Sequence, residues 1–258
     1  MIRTHPFFLL IAVCVFFIAC SEDKKAFTIV SSSSTHINFA NNLEKRNGFG
    51  ILYYLYYYNG AGVATGDINN DGLPDMYFTA NSKGNNKLYL NKGNFQFEDI
   101  TATAGVAGIA DWCTGVTMAD VNGDGYLDIY VCAVSNKLGL QGRNQLFINN
   151  GSSGRDRAEP SFTESAEHYG LAVQGFSCQA AFFDYDHDGD LDCFVLNQSD
   201  KHNAAIIDTA ARRIFDANAA DHLFRNDINT SGRFTDVSAA AGIYQSKLGL
   251  AWALRWLI

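Results

Sequence analysis

A nine-residue acidic motif occurs three times in the sequence, beginning at Asp67, Asp120 and Asp184. All three copies follow the pattern D-x-[DN]-x-D-G-x-x-D. Each copy is preceded by a run of small or apolar residues and followed by a run of β-branched and aromatic residues, which favours a strand on either side. A chain that repeats one strand–loop–strand segment at intervals of about 50–70 residues is built from repeated structural units.

Two further segments recur in each repeat. Third strands are predicted at Lys87–Asn91, Gln145–Asn149 and His222–Asn226. Fourth strands are predicted at Phe97–Thr101, Phe162–Ala166 and Phe234–Ser238. Four strands per repeat are typical of the blades of a β-propeller. We therefore predict an all-β fold over residues 37–258, a partial β-propeller with about three four-stranded blades and the first strand of a fourth. A β-sandwich with accidental similarity among the loops is the alternative.

The repeated loops have the residue types of a calcium site. Calcium takes about six to eight oxygen ligands, and a tight loop offers side chains at positions 1, 3 and 5 and a backbone carbonyl at position 7. Glycine at position 6 permits the sharp turn, and the aspartate at position 9 closes the loop. The sequence predicts three Ca²⁺ sites, with ligands Asp67, Asn69, Asp71, Leu73 and Asp75; Asp120, Asn122, Asp124, Tyr126 and Asp128; and Asp184, Asp186, Asp188, Asp190 and Asp192.

Other interpretations of the loops fit less well. An EF-hand needs flanking helices and a glutamate at position 12, where this chain has Phe78, Val131 and Val195. Magnesium demands stricter octahedral geometry than calcium and tends to keep its waters. Solvated acidic turns without metal are the third alternative. We expect His187 to face solvent, and we expect Asp190 to contribute its carbonyl while its carboxylate is spare.

The repeats resemble FG-GAP/VCBS repeats, such as those of the integrin α-chain propeller. The stretch YNGAGVATGDINNDGLPDMYFTAN at 58–81, with LYLN and FEDIT after it, is similar to bacterial members of the cartilage acidic protein family. Those proteins often carry a C-terminal ASPIC/UnbV domain. The resemblance covers about residues 28–250. It implies a non-enzymatic, calcium-stiffened binding or adhesion module whose ligand is a protein or a glycan.

The sequence contains none of the common catalytic motifs HExxH, GxSxG, Walker A or GxGxxG. The enzymatic alternative is that the chain is the N-terminal, calcium-stabilised propeller part of a longer exported polysaccharide-active hydrolase or lyase. The tyrosine-rich run at 51–60 fits either packing at a blade edge or an aromatic platform for a sugar. We expect packing.

The N-terminus has the features of an export signal. The apolar run at 7–19 is shorter than a membrane span. It ends in Phe-Ile-Ala-Cys, which resembles a lipobox, so we predict lipidation of Cys20, with 1–19 as signal peptide and 20–36 as lipidated cysteine and tether. An ordinary signal peptide cut nearby and an uncleaved anchor are the alternatives. The expected location is the outer membrane or cell surface of a Gram-negative bacterium, with the lipid anchor as the membrane contact.

The charge of the chain bears on its partners, and its cysteines bear on its redox state. The formal net charge is −8, which disfavours a nucleic-acid partner. Four cysteines beyond the signal region lie in apolar, strand-like runs without CxxC spacing, namely Cys113, Cys132, Cys178 and Cys193. We expect buried thiols, although an exported protein could oxidise a pair that the sequence does not identify.

The end of the chain departs from the repeat. Counting from Gly242 as in the earlier repeats, a fourth loop aspartate is due near position 256 or 257. The segment 249–258, GLAWALRWLI, contains no acid. The mismatch predicts a frameshift or a truncated gene, with the chain as a fragment of a longer propeller.

Overall fold

The computed structural model describes most of the chain, namely residues 26–43, 45–46, 48–151, 160–199, 214–243 and 245–246. The chain divides into two units, Met1–Ser31 and Ser32–Ile258, and every described strand lies in the second. The predictions of a signal peptide, a lipidated Cys20 and a fragment ending at 249–258 fall outside the described residues.

The described strands form three four-stranded antiparallel sheets, named blades 1 to 3, and in each sheet the strands follow chain order. Blade 1 contains β1 (Val63–Gly66), β2 (Asp75–Phe78), β3 (Lys87–Asn91) and β4 (Phe97–Asp99). Blade 2 contains β5 (Cys113–Ala119), β6 (Asp128–Ala133), β7 (Gln145–Asn149) and β8 (Phe162–Glu164). Blade 3 contains β9 (Ser177–Phe183), β10 (Asp192–Asn197), β11 (His222–Asp227) and β12 (Arg233–Asp236). The predicted all-β fold of partial propeller blades is confirmed, while the predicted first strand of a fourth blade lies outside the described residues.

Each acidic loop connects the first and second strands of its blade, and the three are named loops 1 to 3. The strand register pairs the last residue of the first strand with the closing aspartate, as Gly66 with Asp75, Ala119 with Asp128, and Phe183 with Asp192. Because antiparallel pairing holds both ends of the loop together, the residues between them form one compact turn.

The fourth strands end two residues earlier than the sequence predicts. In each case the acidic residue that ends the strand accepts a hydrogen bond from the backbone N–H two residues later, at 2.9–3.0 Å. This local bond turns the chain out of the strand. Helices of one turn occur at α1 (Ser32–Thr35), α2 (Thr101–Ala104), α3 (Ala166–Tyr169) and α4 (Ile228–Ser231). Among the described residues, no helix has the length and apolar character that crossing a membrane requires.

Apolar side chains pack between neighbouring blades. In β6, Ile129 and Val131 belong to the core shared with blade 1, whereas Tyr130 and Cys132 belong to the core shared with blade 3. Every residue of β6 is therefore buried, because successive side chains of a strand point to opposite faces and both faces are covered.

The four cysteines of the described blades carry free thiols. Cys113, Cys132 and Cys193 are buried, and Cys178 is partly exposed. Burial raises the pKa of the Cys113 thiol to about 11. These cysteines therefore act as small apolar residues of the blade cores.

Small residues allow the first strands of neighbouring blades to approach closely. A Cβ added to Gly62 would lie 2.7 Å from the Thr114 carbonyl oxygen. A Cβ added to Gly115 would lie 2.4 Å from the Cys178 carbonyl oxygen. Any larger residue at these two positions would push the blades apart.

The tyrosine-rich run divides into buried and exposed residues. Tyr54 and Tyr57 are 3% and 8% exposed and pack with Phe49 and Trp112, which together form the aromatic cluster. Tyr58 of the same run is 71% exposed. The expected packing role is confirmed for Tyr54 and Tyr57. Because Trp112 precedes β5, the cluster lies at the strand ends opposite the acidic loops.

Candidate metal centres

The first aspartate of each loop organises the turn. Asp67 Oδ1 accepts a hydrogen bond from the Asp71 N–H at 3.0 Å, and its Oδ2 accepts one from the Gly72 N–H at 2.7 Å. Asp120 and Asp184 accept the corresponding two bonds in loops 2 and 3, at 2.8–3.2 Å. The same local bonds therefore shape all three turns.

Two residues of each loop adopt left-handed backbone conformations. At position 6 the φ angles of Gly72, Gly125 and Gly189 are 89°, 87° and 97°. Glycine takes this conformation without the steric cost that a Cβ adds. At position 4 the residue is Asn70, Gly123 or His187, also with positive φ. His187 is exposed, as predicted.

The closing aspartate of each loop is buried. Asp75, Asp128 and Asp192 are 0%, 1% and 0% exposed. Their Oδ2 atoms accept hydrogen bonds from the N–H of the second loop residue at 2.8–3.0 Å. None of the ion pairs between described residues involves a closing aspartate. Buried carboxylates are normally paired or bound to metal, so these three groups lack a compensating charge within the described protein.

Burial dominates the electrostatics of the closing carboxylates. Desolvation, with a smaller contribution from the nearby loop aspartates, outweighs the backbone hydrogen bonds and raises the pKa of Asp75 to about 6 and that of Asp128 to about 7. The pKa of Asp192 is also raised, chiefly by desolvation. A bound cation would favour the ionised form of all three groups.

The third position distinguishes loop 3 from the other two. In loop 1, Asn69 Nδ2 donates to Asp71 Oδ2 at 3.0 Å, and in loop 2, Asn122 Nδ2 donates to Asp124 Oδ2 at 2.9 Å. Loop 3 has Asp186 at this position, and its carboxylate side chain has no N–H to donate. Its carboxylate oxygens lie within 4.8 Å of those of the two neighbouring ligand candidates, Asp184 and Asp188.

Asp190 adds a further carboxylate to loop 3. Desolvation and the neighbouring Asp188 raise its pKa to about 6. Its Oδ1 is buried and has no hydrogen-bond partner among the described residues. The carboxylate that the sequence treats as spare therefore interacts with Asp188, a member of the acidic cluster. A buried oxygen without a partner fits a site built to hold a cation.

The donor set of all three loops suits a hard cation. Positions 1, 3, 5 and 9 of every loop carry carboxylate or amide oxygens. Among the described residues, the carboxylates that come within 4.8 Å of one another as a group are those of Asp184, Asp186 and Asp188 in loop 3. Calcium prefers oxygen ligands of these kinds, from several carboxylates in a flexible loop. The roles of the position 7 carbonyls of Leu73, Tyr126 and Asp190 stay predictions.

Three asparagines support the loops without being recognised from the sequence as site residues. Asn91 and Asn149 end β3 and β7, and Asn226 is the residue before the last of β11. The backbone N–H of each donates to Oδ1 of the closing aspartate at 2.7–2.8 Å. The recurrence of asparagine in LYLN, LFIN and LFRN was the signal that could have identified them.

Comparison with protein families identifies a repeat in the region of the first two loops. Residues 67–131 match the protein-family model for an FG-GAP-like repeat. The match begins at the first aspartate of loop 1 and ends within β6, so it includes loops 1 and 2. The chain therefore contains an FG-GAP-like repeat within the blades of a partial β-propeller.

The chain is similar to cartilage acidic protein 1. It is 29% identical to the Xenopus tropicalis protein over 180 residues, which cover 67% of this chain and 24% of that protein. It is 30% identical to the Mus musculus protein over 171 residues, which cover 64% of this chain and 23% of that protein. The chain spans about a quarter of the length of these curated relatives. The resemblance that the motifs indicate is thereby confirmed.

Proposed function

We propose that the chain is a calcium-binding, surface-anchored, non-enzymatic module that recognises a protein or a glycan. The FG-GAP-like repeat and the similarity to cartilage acidic protein 1 suggest a propeller-type binding module. Calcium, the surface anchor and the class of ligand are the finer parts of the proposal.

One observation carries the calcium proposal. A buried aspartate with no basic partner among the described residues closes each of the three loops, and positions 1, 3 and 5 of the same nine-residue loop also carry side-chain oxygens. Three divalent cations would also offset most of the formal net charge of −8. The cation therefore compensates the carboxylates locally and reduces the repulsion across the whole chain.

Titration calorimetry of the full chain in detergent tests this proposal. We expect three Ca²⁺ ions per chain, with magnesium binding much more weakly. A matched variant that combines Asp71→Asn, Asp124→Asn and Asp188→Asn keeps the side-chain volumes but removes one charge from each loop, and it should lose most of the binding. If the wild-type chain binds no Ca²⁺, the calcium proposal is wrong.

The anchor depends on Cys20. Metabolic labelling with a radioactive fatty acid should label the wild-type chain and leave Cys20→Ala unlabelled. Cys14→Ala is the control, because Cys14 lies inside the apolar run and should not affect labelling. Equal labelling of the wild-type chain and Cys20→Ala would contradict lipidation at this position.

The recognition role should depend on calcium. Binding of the full chain to immobilised glycans and to immobilised extracellular proteins can be compared with calcium and with EDTA. We expect a calcium-dependent signal on one of these two classes of surface. Turnover of a polysaccharide by the chain would instead support the enzymatic alternative.

A further inference from the structure

The asparagine that ends the third strand of blade 2 contacts two acidic loops. The Asn149 backbone N–H donates to Asp128 Oδ1, in its own blade, at 2.8 Å. The Asn149 side-chain Nδ2 donates to the Ile68 carbonyl oxygen in loop 1 at 2.8 Å and to the Leu127 carbonyl oxygen at 3.2 Å. A single residue therefore connects the closing carboxylate of loop 2 to the backbone of loop 1.

Blade 3 repeats this connection. The Asn226 N–H donates to Asp192 Oδ1 at 2.8 Å, and its Nδ2 donates to the Val121 carbonyl oxygen in loop 2 at 3.1 Å. Its second side-chain bond, to the Leu191 carbonyl oxygen of loop 3 at 3.0 Å, stays within its own blade. The two junctions between blades thus have the same hydrogen-bond pattern.

These bonds join into one continuous chain. The residues whose carbonyls accept from the asparagines also donate their N–H groups to closing aspartates, Ile68 to Asp75 and Val121 to Asp128, both at 3.0 Å. We call the chain the closing relay, and its members in order are Asp75, Ile68, Asn149, Asp128, Val121, Asn226 and Asp192. Every member is 5% exposed or less, so water does not compete readily for these bonds.

We propose that the three loops bind their cations cooperatively, because the closing relay links each closing carboxylate to the next. The proposal rests on the calcium-binding function proposed above. A cation that holds one closing carboxylate also fixes the asparagine N–H bound to it, and through the asparagine side chain it fixes the second residue of the neighbouring loop. The neighbouring closing carboxylate is then already positioned, so the next cation meets a smaller ordering cost.

The relay makes the coupling specific to each junction. Asn149 lies between loops 1 and 2, and Asn226 lies between loops 2 and 3. Removing one asparagine side chain should therefore uncouple one pair of loops and leave the other pair coupled. Coupling between sites in proteins typically changes affinity by about 5- to 150-fold, which titration measures readily.

The first experiment disables loop 3 in the full chain with Asp186→Asn combined with Asp188→Asn, both of which are exposed positions. Calorimetry then measures Ca²⁺ affinity at the two loops that remain intact. Independent loops would keep their affinities unchanged, which would overturn the proposal. The relay predicts that affinity at loop 2 falls at least fivefold, at the low end of the usual coupling range.

The second experiment repeats the comparison in an Asn226→Ala background as a double-mutant cycle. Disabling loop 3 should then leave the affinity of loop 2 unchanged, while in an Asn149→Ala background the loss should persist. Asn150→Ala is the matched control, since Asn150 is the next residue of the same blade and its side chain bonds to Ser161 and Thr163 rather than to the relay. A purely structural role of Asn226 would weaken all sites without this pattern.

Asn149→Ser and Asn226→Ser provide the test if an alanine variant fails to fold, because serine keeps a polar group but is too short to connect the two loops. The loop 3 experiment needs no relay variant at all. If the wild-type chain binds no Ca²⁺, the proposed calcium function itself is wrong. Normal binding with independent affinities would contradict the cooperative relay alone.

Discussion

Loops 1 and 2 share their hydrogen bonds and burial with loop 3 but differ from it at position 3. Asn69 and Asn122 each donate a hydrogen bond to the aspartate two residues later. Asp186 of loop 3 places a third carboxylate beside Asp184 and Asp188 instead. In the first two loops an amide therefore compensates part of the aspartate's charge with a hydrogen bond. We expect loop 3, which has no such amide, to depend more strongly on a bound cation.

This difference shows that the backbone shape of an acidic loop and its charge are set by different residues. The backbone shape is common to all three, because the first aspartate and the glycine at position 6 set the turn. The charge is adjusted at a single side chain, and charge count is one of the properties by which calcium loops tune their affinity. We expect loop 3 to bind calcium more tightly than loops 1 and 2 and to be the least stable of the three without it.

Removal of calcium should have the largest effect on stability. At a free calcium concentration about 100 times the dissociation constant, each occupied site contributes about 2.7 kcal/mol to the free energy of unfolding. EDTA should therefore lower the urea midpoint of the full chain substantially. In EDTA, added sodium chloride should restore part of the loss, since salt screens the exposed carboxylates of loop 3. An unchanged midpoint in EDTA would contradict the metal dependence.

Exchange of the third-position residues should have the next largest effect. Asp186→Asn gives loop 3 the amide of the other loops, so the calcium-free protein should gain about 1 kcal/mol through a new hydrogen bond to Asp188. Calcium affinity at loop 3 should fall at the same time. Asn122→Asp is the reciprocal variant. In loop 2 it should lower the stability of the calcium-free protein and raise the calcium affinity. Urea denaturation in EDTA and calcium calorimetry measure the two quantities, and changes of the same sign in both variants would be inconsistent with this account.

The pH dependence of the calcium-free protein should follow the closing aspartates. Their pKa values are raised in the folded state, to about 6 for Asp75 and about 7 for Asp128. The folded state therefore holds more protons than the unfolded state between about pH 4 and pH 7, so stability should fall as the pH rises through this window. Asp128→Asn should flatten the upper part of the curve. Urea midpoints in EDTA across the window measure the slope, and a rise in stability toward pH 7 would contradict it.

A bond between the exposed tips of loops 1 and 2 should have the smallest effect. Asn70 Nδ2 donates to the Gly125 carbonyl oxygen at 3.0 Å, whereas the equivalent residue of loop 2 is Gly123, which has no side chain. Asn70→Gly preserves the left-handed backbone and should cost less than about 1 kcal/mol, because water replaces an exposed bond. Gly123→Asn tests whether loop 2 can form the same bond with loop 3. A loss much larger than this at Asn70 would mean that the exposed tips, and not the buried relay, hold the loops together.

Local patterns made much of this fold predictable. Each of the three loops was recognisable because its aspartates and its glycine act within nine residues of one another. The strands around the loops followed from β-branched and aromatic runs whose partners are close in the chain. The ends of the fourth strands were not anticipated, because a hydrogen bond such as that from the Thr101 N–H to Asp99 competes with strand pairing.

The aromatic run and the relay needed contacts over long distances in the chain. The sequence could not show which tyrosines of 51–60 are buried, because Tyr54 and Tyr57 pack on Trp112 at the start of another blade. The contacts of Asn149 with Ile68 and of Asn226 with Val121 connect residues 81 and 105 positions apart. Such pairs exist only after the blades have packed side by side.

The amino-acid sequence by itself determined the repeat, the four-stranded blades and the oxygen-rich loops, since all of these depend on residues near one another in the chain. Only the tertiary structure decided that the closing aspartates lie buried without a basic partner among the described residues, and that two asparagines join the three loops into one chain of hydrogen bonds. Burial and contacts between blades arise from packing. Packing joins residues that are far apart in the chain, and local sequence patterns do not predict such contacts.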